Sequence, residues 1–331
     1  VTGVQTCALP IFAYWVSNKV YNIFQQTKEL RKFAEPRHGM STGNNDVCLK
    51  KWYEVSNENI AFSCQCITDF ENTGHKWVPY NKGGTFRKWY GNNEYIIAYD
   101  LTSRKYMQSL SGFRASSLGY FFKPSINWSD VSSTYFGVRY SYCGFAFDGR
   151  GASMFSEEKI TFWILGFLSS KITRGFLNIL NPTLTFNIDN IASLPLVVET
   201  QNKSRVDFIV KQNIAMSKVD WDSFETSWEF IIHPLYKFKI TNAKGGIEHA
   251  FDMWNDFTEK QFHKLKANEE ELNRIFLDIY GLQDEMTPEV EEKDITIRQA
   301  DRERDIKSFI SYAVGCMFGR YSIDEEGLIY A

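Results

Sequence analysis

No uninterrupted apolar run in this sequence approaches the about 18 residues that a membrane-spanning helix needs. The strongest, Ile160–Leu168, is stopped by Ser169, Ser170 and Lys171 and suits a buried helix. The six cysteines show no disulfide-framework spacing, so they read as reduced thiols in a cytoplasmic protein. Cys64 and Cys66 are separated by one residue, short of the two to four that let a cysteine pair share a zinc ion, so no metal site is expected. Alternating residues on a strand explain that pair more simply. The five histidines (His38, His75, His233, His249, His263) are dispersed, and none has an identifiable partner for acid–base work. Glycine-rich dinucleotide and P-loop motifs, nucleophile elbows and zincin motifs are all missing. No internal repeat or low-complexity tract occurs.

What the chain does have is aromatic mass: 27 Phe, 17 Tyr and 9 Trp, or 16% of 331 residues. With 44% hydrophobic and 23% charged residues it reads as folded, and its length suits two or three domains. The net charge of −3 hides an asymmetry. Residues 1–150 carry +6, residues 151–200 carry −1 and residues 201–331 carry −8. A basic first half points to a polyanion partner that the acidic second half does not share.

Apolar spacing predicts a helix over 12–34, broken at Pro36, and then a polar loop over 37–45. Residues 46–150 read as mostly β, with strands at 96–99 and 137–140 and turns at Gly83-Gly84 and Gly91–Asn93. A helix over 157–180, a strand over 183–188, a helix over 203–219, one long helix or a broken pair over 247–280, and a helix over 302–318 follow. Gly281 caps the long one, and residues 284–294 form an acidic linker.

The window Lys76–Asn93 interleaves Lys76, Lys82, Arg87 and Lys88 with Trp77, Tyr80, Phe86, Trp89 and Tyr90, and contains no acid. Cations neutralise phosphates, amides and guanidinium groups read base edges, and aromatics stack on extruded bases. The same residues also fit a hairpin with a buried aromatic face and solvated lysines.

Ser41–Asn45 (STGNN), Trp52–Val55 (WYEV), Lys76–Gly84 (KWVPYNKGG) and Phe86–Tyr95 (FRKWYGNNEY) resemble the target-recognition region of the PglX family, the adenine-specific DNA methyltransferases of BREX phage-exclusion systems. Residues 162–196, with Leu180–Phe186 (LNPTLTF) and Ile191–Pro195 (IASLP), are similar to the TaqI-like specificity domain of these enzymes. Ala267–Phe276, Ile279–Glu285 and Ser311–Tyr321 resemble the family's C-terminal region.

The resemblance implies an α+β fold, with a β-rich recognition module, a long packing helix and a mainly helical C-terminal region. It divides the chain into a helical linker (12–36), a TaqI-like recognition domain (37–200) and a truncated helical region (201–331). Residues 1–11 read as the translation of a sequencing-library adapter and are expected to be non-native. The implied function is recognition of double-stranded DNA for a site-specific N6-adenine methyltransferase that marks host DNA as self. Expected phosphate contacts are Lys82, Arg87, Lys88, Arg104, Lys105 and Arg114. Expected base-reading or stacking residues are Asn44, Asn45, Asn81, Asn92, Asn93, Trp77, Tyr80, Trp89 and Tyr90.

The family's S-adenosylmethionine and Asn-Pro-Pro-Tyr motifs do not occur. The chain is therefore expected to be an inactive fragment without cofactor, with S-adenosylmethionine belonging to a full-length parent. Other BREX components are the implied partners. A protein-interaction scaffold and the specificity domain of a fused restriction–modification enzyme are the alternatives.

Overall fold

The computed structural model describes residues 16–132, 135–181, 183, 185–241, 245–325 and 327–329. The segment 1–11, expected to be non-native, lies outside them. The fold is α+β. Strands β1 (Ala34–Arg37), β2 (Ser41–Thr42), β3 (Leu49–Lys51), β4 (Trp77–Asn81), β5 (Tyr95–Ala98), β6 (Phe113–Arg114), β7 (Ser125–Trp128), β8 (Val138–Ser141), β9 (Ala146–Phe147) and β10 (Ser153–Ser156) form three sheets. Their orders are β1-β10-β7-β8, β3-β5-β4-β9 and β2-β6, with β4–β9 parallel and the other pairs antiparallel.

Helices α1 (Asn18–Gln26), α2 (Asn45–Cys48), α3 (Ile67–Thr73) and α4 (Leu101–Ser109) lie among the strands. After them come α5 (Glu158–Leu168), α6 (Lys171–Leu180), α7 (Ile188–Ala192), α8 (Lys203–Asp222), α9 (Pro234–Thr241), α10 (Ile247–Tyr280) and α11 (Arg302–Met317). No helix among the described residues is long and apolar enough to cross a membrane.

Helices α8, α10 and α11 fall where the apolar spacing puts them. Strands β5 and β8 do likewise, and Gly83, Gly84 and Gly91 take positive φ in the expected turns. Elsewhere hydroxyl and amide side chains redirect the chain. The expected helix over 157–180 is two helices. Ser170 Oγ and Thr173 Oγ1 both donate to the Phe167 carbonyl, at 2.6 and 2.7 Å, and end α5 there. Of the strand expected over 183–188, Leu184 lies outside the described residues, and the end of the segment turns into α7 instead, because Asn187 accepts from Asn190 N–H (3.0 Å) and caps that helix. Thr185 keeps only an isolated bridge to Val131.

Among the described residues the first helix spans Asn18–Gln26, residues 12–15 lying outside them, and Pro36 sits in β1. The β-rich block also holds α3 and α4. Cys66 is no strand residue: its sulfur caps α3 from 3.5 Å, while Cys64 is buried.

Much of the aromatic surplus is core. One cluster joins the β1-β10-β7-β8 sheet to α5, α6, α8 and α10 through Trp128, Met154, Trp163, Phe176, Ile209 and Phe276. It therefore runs across residue 200 without a break. A second fills the other large sheet with Met40, Phe70, Tyr80, Phe122 and Phe147.

Candidate nucleic-acid interface

The basic window between β4 and β5 folds inward. Arg87 Nε donates to the Tyr90 carbonyl (2.8 Å), and its guanidinium pairs with Asp220 of α8 and lies 4.9 Å from the Trp221 ring centre. Asp220 also accepts from Arg298, at 3.0 Å from both Nε and the backbone N–H. Burial alone would raise the Asp220 carboxyl, but Arg298 and Arg87 outweigh it and hold it below its ordinary value. Lys88 pairs with Glu269 of α10, which also accepts from Trp89 Nε1 at 2.8 Å. Arg139 is buried beside them, its Nε donating to Asn127 (3.1 Å), and burial lowers its guanidinium to about 10 with Arg87 adding to the effect.

These placements reassign much of the expected DNA-facing set. Arg87 and Lys88 are 8% and 7% exposed, and a cation already neutralised by a buried carboxylate has little to offer a phosphate. Trp77, Tyr80, Trp89 and Tyr90 are core side chains rather than stacking platforms. Asn81, Asn92 and Asn93 are buried too. Asn81 donates to Ser141 Oγ (3.0 Å) and Asn92 to the Thr85 carbonyl (2.8 Å). The local sequence could not show this, because the neutralising acids stand 133 and 181 residues downstream.

Of the remaining candidates Asn45, Lys105 and Arg114 are exposed and Asn44, Lys82 and Arg104 half-buried, and some of them converge. A cleft of about 650 Å³ is lined by Ser41, Thr42, Asn44, Asn45, Lys82 and Arg150, with Asp148 and the glycines 43, 112 and 149. Its size lies within the roughly 300–1,000 Å³ typical of small-ligand sites. Thr42 Oγ1 donates to Asn45 (2.7 Å), and Asn44 Nδ2 donates to the Tyr106 hydroxyl of α4 (3.1 Å), so both amides are held in place. Lys82 lies 4.9 Å above the Tyr95 ring.

Arg114 pairs with Ser41 across β6–β2, and its exposed guanidinium donates to the Ser111 and Phe113 carbonyls (2.9 and 2.8 Å). Lys105 is exposed on α4, whereas Arg104 is tied to Glu71 and to the Tyr99 ring. Sequence reasoning missed Arg150. Its signal is the Asp148-Gly-Arg-Gly151 turn, which projects a cation between glycines. Behind the cleft, burial raises the Asp130 carboxyl to about 6 despite His38 and Arg150 nearby. No His, Cys, Asp and Glu side chains among the described residues gather as a metal site.

No family model matches the chain. It is 41% identical over 334 aligned positions to the adenine-specific methyltransferase PglX of Lacticaseibacillus casei (strain Zhang), covering 96% of this chain and 27% of that protein. It is 32% identical over 341 positions to the adenine-specific methyltransferase BrxX of Escherichia coli O9:H4 (strain HS), covering 96% and 26%. The chain thus spans about a quarter of the length of the curated relatives it matches. Over nearly its whole length the chain is similar to one part of these two adenine-specific methyltransferases, PglX and BrxX.

Proposed function

We propose that this chain supplies DNA target recognition to a PglX-like N6-adenine methyltransferase acting in BREX anti-phage defence. In this reading residues 37–200 form the recognition unit and the helices after residue 200 brace it. The observation that carries the reading is the convergence of Asn44, Asn45, Lys82 and Arg150 on one open cleft. Amides that can pair with base edges beside cations that can meet phosphates are the two ingredients of sequence-specific duplex binding. The phosphate role falls to Lys82, Arg114, Arg150 and Lys105, with Arg104 in support. Arg87 and Lys88 serve cohesion.

S-adenosylmethionine carries a sulfonium cation, and a cleft edged by Lys82 and Arg150 does not suit it. Cofactor binding and methyl transfer are assigned to the remainder of a PglX-length protein, which would extrude the adenine. Fluorescence anisotropy on the purified chain tests the reading. Duplex retained at low salt and released at high salt is expected; a folded sample that never retains duplex contradicts it.

A second reading, docking of other BREX components, has its own support. Ile310, Val314 and Met317 of α11 and Phe318, the residue that ends it, recur at helical spacing and are exposed, Met317 and Phe318 by 83% and 85%. Co-purification of BREX subunits that is lost on Phe318→Ser, with no duplex binding, would favour it.

A further inference from the structure

Asp148 is the acid on a cleft otherwise lined by amides, hydroxyls, glycines and two cations. A carboxylate facing a DNA phosphate is repelled, so its presence there needs another reason. It is also held in place. One oxygen accepts from the Arg150 backbone N–H (2.8 Å), and the other lies 3.1 Å from the hydroxyl of Tyr80, a fully buried side chain of β4 whose one proton is shared between this oxygen and the Met40 carbonyl, also at 3.1 Å. The Asp148 backbone N–H donates to the Asn81 carbonyl (2.9 Å), fixing the loop between β9 and β10. Among the described residues no ion pair engages the carboxylate. Each of its oxygens can accept more than one hydrogen bond, so acceptor capacity remains for a donor in the cleft.

Duplex DNA offers a groove-binding carboxylate few donors. In the major groove they are the exocyclic amino groups, N4 of cytosine and N6 of adenine; guanine and thymine present carbonyl oxygens there, which repel a carboxylate. We propose that Asp148 is a specificity-determining residue, selecting a base with a major-groove amino group at one position of the target. Lys82 and Arg150 hold the flanking phosphates, and the Tyr80 hydroxyl sets the carboxylate's orientation. The inference rests on the DNA-recognition reading above and adds to it the chemical class of base read and the residue that reads it.

The test is selection of a randomised duplex pool on the full chain, followed by sequencing of the bound fraction, for the unaltered protein, Asp148→Asn and Tyr80→Phe. The unaltered chain should enrich cytosine or adenine at one position. Asp148→Asn presents an amide that also donates to carbonyls. Within the duplex it binds, preference at that position should fall about tenfold. Tyr80→Phe keeps the charge and loosens its aim, so its preference should fall less; it also serves if thermal melting shows Asp148→Asn to be unfolded. Duplex binding with no enriched position, or enrichment unchanged in both variants, overturns the role of Asp148. Absence of any duplex binding by the folded unaltered chain overturns the recognition reading beneath it.

Discussion

A lysine ammonium buried as deeply as that of Lys88 is stable only with a partner, and Glu269 is that partner. Lys88→Met would leave Glu269 buried with only the Trp89 indole N–H. A loss of about 3–5 kcal/mol in urea unfolding is expected, most of it recovered when Glu269→Leu is added. His233 poses the opposite problem. It is buried against Phe309 and Tyr312 and accepts from the Leu235 N–H (3.2 Å), and burial lowers it to about 4. Between that value and the ordinary 6.5 the unfolded chain binds the extra proton, so this contribution to stability is lost as pH falls. Asp130, raised to about 6, acts in reverse: its contribution is present at low pH and lost as pH rises from 3.8 through 6. In thermal melts from pH 4 to 6.5, His233→Phe should flatten the gain in stability with pH, and Asp130→Asn should steepen it.

The elements show which signals survive without tertiary context. Helix α10 is legible because Phe262, Leu265, Leu272 and Phe276 recur on one buried face and Gly281 ends it at φ +65°. Nothing stands within 4 Å of a Cβ built on Gly281, so Gly281→Ala should cost only backbone strain, about 1 kcal/mol. Gly281→Asn should cost less, and chemical unfolding measures both. Ser169-Ser170 is legible as the end of an apolar run but not as a junction between two helices. That outcome depends on hydroxyls reaching the Phe167 carbonyl, a three-dimensional detail. Asn187 is likewise ambiguous, since a strand residue and a helix cap look alike until the chain turns.

Across the whole molecule, the division into a basic first half and an acidic second half is in part an internal arrangement. Arg87 and Lys88 meet Asp220 and Glu269 inside it, so the basic window ties the sheets to α8 and α10 instead of lying open. Asn44, Asn45 and Lys82 can be picked out from residue type alone, because none of them is fully buried. Their convergence with Arg150 and Asp148 cannot, because β2, β4, β6 and the β9–β10 loop meet only in the folded chain.

The salt dependence of duplex binding separates the two sets of cations most directly. Lys82→Ala with Arg150→Ala should weaken binding and reduce the slope of log affinity against log salt by about 2, one for each phosphate-neutralising cation removed. Arg87→Ala with Lys88→Ala should lower the melting temperature and leave that slope unchanged wherever the chain remains folded. A slope reduced by the Arg87 and Lys88 pair and untouched by the Lys82 and Arg150 pair would contradict the cleft as the DNA-binding surface.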